Sequence, residues 1–94
     1  MPAVARIGDA NVDHCSGMVQ AAGSGNVFAN GRGISRQGDA NTPHDLPGSP
    51  CPGHDAPIGS GSGSVYVNGK QCGRVDDPTC TAIAAGSPNV FAGG

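Results

Sequence analysis

Apolar positions in this chain come in short bursts, and three of the bursts repeat one another. Residues 23–31 read G-S-G-N-V-F-A-N-G, residues 61–69 read G-S-G-S-V-Y-V-N-G, and residues 86–94 read G-S-P-N-V-F-A-G-G. Each is a turn, then Val-aromatic-Ala or Val, then Asn-Gly or Gly-Gly. Asn-Gly at 30–31 and 68–69 predicts tight hairpins, because both central positions of the favoured two-residue turn need φ > 0. Strands are therefore expected around 26–29 and 64–67, returning around 32–36 and 70–75. The third copy stops at residue 94, so its return strand is expected to be missing. No stretch carries apolar residues at i, i+3, i+4 and i+7, and glycine interrupts every candidate helix. The pattern predicts an all-β fold of short hairpins and many turns. Neighbours in a strand face opposite sides, so either the valines or the aromatics face inward. Val27, Phe28, Val65, Tyr66, Val67, Val90 and Phe91 are expected to pack the core.

The polar positions repeat as well. Residues 6–14 read R-I-G-D-A-N-V-D-H and residues 36–44 read R-Q-G-D-A-N-T-P-H. A weaker copy, R-V-D-D-P-T-C, spans residues 74–80 and ends on cysteine in place of histidine. Repeats this short cannot bury a core singly, so they must pack on one another or on something shared. Arg6, Arg36 and Arg74 recur with Asp9, Asp39 and Asp77. They are either three equivalent pairs holding turns together, or solvated surface charges worth about 0–1 kcal/mol per pair.

Composition narrows the means of stabilisation. At 94 residues a single domain spanning 1–94 is expected. Glycine (17) and proline (8) exceed a quarter of the chain, a level that signals disorder when no period is present. Here a period is present. With one Tyr, two Phe and no Trp, large apolar side chains are scarce. Ordering the backbone costs roughly 1–2 kcal/mol per residue, so a metal, disulfides or a partner should supplement the core. The formal charge is −2, and the five Lys and Arg do not cluster. No nucleic-acid partner is expected, since phosphate binding needs a concentrated basic face. No apolar run approaches a membrane span, and the opening M-P-A-V-A-R-I-G-D lacks a signal-peptide pattern. Synthesis and folding in the cytoplasm are expected, a compartment where four cysteines favour metal ligation or reduced thiols over disulfides.

The candidate donors are His14, Cys15, His44, Cys51, His54, Cys72 and Cys80. Imidazole and thiolate together suit zinc in a closed tetrahedral site; iron is the alternative ion. His14, His44 and Cys80 each close a copy of the Arg-to-Asp repeat. His54 is the remaining histidine, in the proline- and glycine-rich stretch 40–63, which would otherwise read as a flexible linker. These four form the expected ligand set, with Cys15 and Cys51 either replacing a histidine, forming a disulfide or remaining inert. Cys72 lies on an expected strand and should pack. A structural zinc would supply about 10–16 kcal/mol of apparent binding energy at neutral pH.

The order His…His…His…Cys, the V-Y-V-N-G-K hairpin, the R-x-G-D turns and the closing A-G-S-P-N-V-F-A-G-G resemble the PAAR-repeat proteins, and the resemblance spans essentially the whole chain. It implies a small pointed cone with pseudo-three-fold repeats and an apex pinned by structural zinc on His14, His44, His54 and Cys80. It also implies a structural role at the tip of an injection apparatus, in a type VI secretion system, a contractile phage tail or a related machine. One copy would cap a trimeric β-helical spike and touch the target membrane transiently. A single chain with three quasi-equivalent repeats suits a three-fold surface. The chain departs from the family pattern at Gly33-Ile34-Ser35-Arg36 and Gln71-Cys72-Gly73-Arg74, where of Pro-Ala-Ala-Arg only the arginine stands. Asp76 occupies the place of Gly8 and Gly38.

No small-molecule substrate and no enzymatic activity are expected. Four protein ligands leave a zinc no open position, and no H-E-x-x-H, G-x-S-x-G or phosphate-binding loop is present. A zinc-dependent enzyme and a disulfide-stapled binding module are the rival readings.

Overall fold

The computed structural model describes residues 1–13, 17–45 and 53–93, with 44, 45, 53 and 54 described by their backbone. Within these residues there is no helix, and the regular structure consists of short antiparallel strand pairs. Strand β1 (Phe28–Ala29) pairs with β2 (Arg32–Gly33), with Phe28 opposite Gly33. Strand β5 (Tyr66–Val67) pairs with β6 (Lys70–Gln71), with Tyr66 opposite Gln71. Asn30 and Gly31 have φ of 56° and 76°, and Asn68 and Gly69 have 54° and 78°, the paired positive φ that the Asn-Gly dipeptides predict. The strands are shorter than the sequence suggested: beyond them the return segments turn to other parts of the chain, Ile34 bridging Arg6 and Cys72 bridging Arg36. Between these hairpins β3 (His44–Asp45) pairs with β4 (Gly53–His54), inside the stretch whose composition reads as a linker.

The expectation that the third Val-aromatic copy lacks a return strand is overturned. Residues 2–4 supply it. Ala3 bridges Phe91, Val4 N donates to Val90 O at 2.9 Å, and Ala92 N donates to Pro2 O at 3.0 Å. Val4 N→Val90 O matches Ile34 N→Val27 O and Cys72 N→Val65 O, both 3.0 Å. The chain closes on itself, so segments remote in sequence form the same unit that Asn-Gly forms locally. Ala3-Val4-Ala5-Arg6 is thus the third counterpart of Gly33-Ile34-Ser35-Arg36 and Gln71-Cys72-Gly73-Arg74.

Just past these return segments the backbone forms a closed ring. Ala5 N donates to Gly73 O (2.9 Å), Gly73 N to Ser35 O (2.9 Å) and Ser35 N to Ala5 O (3.0 Å). Ala5 and Ser35 are fully buried. Only small residues permit three backbones this close. A Cβ on Gly73 would lie 2.7 Å from Ile58 Cδ1 and 2.8 Å from Ser35 O.

Two apolar clusters flank the ring. One joins Val4, Ile34 and Cys72 from the return segments to Ala29, Val67 and Ala92 from the outgoing strands. The other contains Ala5, Ile58 and Ile83, with Val75 packed against it. Gln20 takes the place that Ile58 and Ile83 hold in the other copies: their carbonyls accept equivalent bonds from Gly8 N, Gly38 N and Asp76 N. The molecule measures 40 × 23 × 23 Å, one long axis and two equal short ones.

Candidate functional site

The Arg-to-Asp repeat folds into the same turn three times. In the first copy Arg6 N and Nε donate to Asp9 Oδ2 at 2.8 and 2.9 Å, and Nη2 donates to Oδ1 at 2.9 Å. Arg36 and Arg74 make the same bonds to Asp39 and Asp77. The three aspartates are at most 10% exposed, so these are not solvated charges. Hydrogen bonding to the aspartates raises each guanidinium pKa above its ordinary value, burial opposing the shift. The remaining Nη1 of each arginine reaches the end of a hairpin: Asn30 Oδ1, Asn68 Oδ1 and Gly93 O at 3.0, 3.0 and 3.1 Å. Each arginine therefore clasps its own turn and a hairpin together. The turns need positive φ at Gly8 (91°), Gly38 (90°) and Asp76 (76°).

Five residues after each arginine stands a polar side chain, and the three meet. Asn41 Nδ2 donates to Asn11 Oδ1 (3.1 Å), and Thr79 Oγ1 donates to the same oxygen (2.9 Å). Asn11 Nδ2 donates to Gln20 Oε1 (3.0 Å). Asn41 Oδ1 accepts from Ala56 N (2.8 Å). Asn11, Gln20 and Asn41 are all buried. Among the described residues Gln20 Nε2 has no hydrogen-bond partner. The repeats A-N at 10–11 and 40–41 were visible in the sequence, but nothing there marked them as buried or in contact.

Of the expected ligands, Cys80 falls beside this layer. Cys80 follows Thr79 and is partly buried; its Sγ accepts from Asn41 Nδ2 at 3.7 Å. His44 and His54 are direct Cα partners across β3–β4, a juxtaposition the intervening prolines and glycines concealed. His14, Cys15 and Cys51 lie outside the described residues. Among the described residues no three of His, Cys, Asp and Glu gather around one point. Cys72 is buried and packs in the first apolar cluster, as its strand position suggested; burial pushes its pKa up to about 11.

The expectation that the aromatics pack the core is also overturned. Phe28, Tyr66 and Phe91 are 58%, 57% and 48% exposed, and they are all the aromatic residues the chain has. Their neighbours Val65 and Val90 are exposed too. The next residue in each copy, Ala29, Val67 or Ala92, is the one turned inward. The fully buried side chains are no larger than isoleucine or glutamine, and the aromatic ones remain outside.

Taken together these features define a small all-β protein of short strand pairs, with a histidine ladder, and with a cysteine beside a buried amide layer. The chain matches no protein-family model and no curated protein sequence. No helix among the described residues is long and apolar enough to cross a membrane.

Proposed function

We propose that this protein is a structural spike tip: a cone with pseudo-three-fold repeats, its apex held by one structural zinc on His14, His44, His54 and Cys80. One copy seats on the end of a trimeric β-helical spike of a secretion system or contractile tail. It sharpens that spike for passage through a target envelope. The observation that carries this reading is the exposure of Phe28, Tyr66 and Phe91 at equivalent positions around a closed ring of three backbone bonds. Aromatic side chains normally contribute most to a core, and half-exposed ones in register suit an interface. Three copies of one element match three identical subunits, and a single chain then satisfies all three at once.

The donor chemistry fits the ion. Two histidines are partners in one ladder, and the cysteine sulfur already accepts a hydrogen bond, as a thiolate ligand does. When bound, zinc would tie together turns that few large apolar side chains stabilise.

Two measurements test the proposal. Elemental analysis of native protein should find one zinc per chain; finding no transition metal contradicts the apex. Native mass spectrometry of the protein recovered from its producing cells should find one copy with three copies of one partner chain. Replacing Phe28, Tyr66 and Phe91 together by serine should abolish that complex while leaving the fold intact. A complex of other stoichiometry, or one indifferent to the three substitutions, contradicts the spike reading.

A further inference from the structure

The Asn41 carboxamide occupies a position that its fold role alone does not explain. Its oxygen accepts from Ala56 N. One amide hydrogen goes to Asn11 Oδ1 and the other to Cys80 Sγ. Every polar atom of this buried side chain is thus assigned, and one assignment is to sulfur. A neutral thiol is a weak acceptor, whereas a metal-bound thiolate is charged and accepts strongly. The amide is itself oriented by a chain of carboxamides, Asn41 to Asn11 to Gln20. Burying a carboxamide such as that of Asn41 is costly unless its polar atoms are bonded. The third copy has Thr79 where Asn41 stands, and its single hydroxyl hydrogen is donated to Asn11 Oδ1, leaving none for a sulfur.

We propose that Asn41 is a positioning residue for the metal site: its N–H holds Cys80 Sγ in ligating orientation and stabilises the sulfur's negative charge. The inference rests on the metal reading above. Groups that orient and hydrogen-bond a metal ligand commonly contribute about 10–100-fold to metal affinity.

The test uses cobalt(II) as the probe, titrated into the full chain against a competing chelator. Its thiolate-to-metal charge-transfer absorption reports on the sulfur directly. The wild-type chain should show that band, and Asn41→Thr should bind cobalt about 10–100-fold more weakly with the band moved to longer wavelength. Removing the hydrogen bond raises the energy of the sulfur lone pairs, which sets the direction of that shift. Asn41→Asp keeps the shape and the acceptor for Ala56 N while losing the donor. It serves if the threonine variant does not fold, and it should weaken binding at least as much. A purely structural Asn41 would lower the melting temperature of the metal-free chain and leave band and affinity unmoved, which would overturn the inference. A wild-type chain with no thiolate band would instead overturn the metal reading on which it stands.

Discussion

Removing residues 1–4 should unfold this protein, although a sequence reading gives these residues no role. Met1 is 86% exposed and its loss alone should matter little. Val4 is 2% exposed, and burying a valine side chain is worth about 2 kcal/mol. Four backbone bonds depend on residues 2–4: Val4 N to Val90 O, Ser87 N to Val4 O, Ala92 N to Pro2 O and Val75 N to Ala3 O. At about 1 kcal/mol each, they bring the loss to roughly 6 kcal/mol. Domains of this size have a net stability of about 5–15 kcal/mol, so the deletion consumes much or all of it. The truncation also leaves Val90, Phe91 and Ala92 without a partner strand. Urea unfolding followed by far-ultraviolet circular dichroism, at matched metal content, compares the full chain with chains lacking residue 1 or residues 1–4. The first truncation should stay within about 0.5 kcal/mol of the full chain. If the second does too, the closure of the chain through residues 2–4 carries no energy and the reasoning fails. A permuted chain that joins residue 93 to residue 1 and opens between Asn30 and Gly31 should retain the fold.

Three further outcomes follow from particular side chains. Asp39→Ala leaves the Arg36 guanidinium without its carboxylate and should cost about 3 kcal/mol, while Arg32→Ala, whose side chain is 42% exposed in its pair with Asp9, should cost at most about 1 kcal/mol; urea midpoints of the two variants check the contrast. Asp76→Gly relieves a φ of 76° that its two counterparts meet with glycine, and should stabilise by about 0.5–1 kcal/mol in a thermal melt. Its reciprocal, Gly38→Ala, enters open space and should lose about as much through the backbone alone. Cys72 holds its proton to about pH 11 when folded, against 9.0 as an ordinary thiol. Its raised folded pKa contributes stability fully present below pH 9.0 and lost as pH rises toward 11. That loss approaches about 2–3 kcal/mol; Cys72→Val, matching Val4 and Ile34, should flatten this part of the pH–stability curve relative to wild type.

Short-range order was legible in the amino-acid sequence by itself. Asn-Gly at 30–31 and 68–69 dictates positive φ and hence two hairpins, and the recurring Arg-x-x-Asp spacing marked three equivalent segments but left open whether the charges pair or are solvated, which the structure decides in favour of pairing. Glycine and proline exclude helices, which leaves an all-β fold. These are local constraints, carried by two to four consecutive residues. What required the tertiary structure was everything set by distant segments meeting. The partner of Val90–Ala92 is residues 2–4, which no local rule joins to the other end of the chain. Burial of Asn11, Asn41 and Gln20 depends on three turns converging, and polar side chains carry no sequence mark of that. The alignment of His44 with His54 comes from a ladder register across residues that composition alone would leave unstructured. The outward placement of Phe28, Tyr66 and Phe91 reverses the usual inference from hydrophobicity. A ring of backbone bonds among Ala5, Ser35 and Gly73 joins three chain segments, the fully buried side chains are no larger than isoleucine or glutamine, and that arrangement is a property of the three segments together.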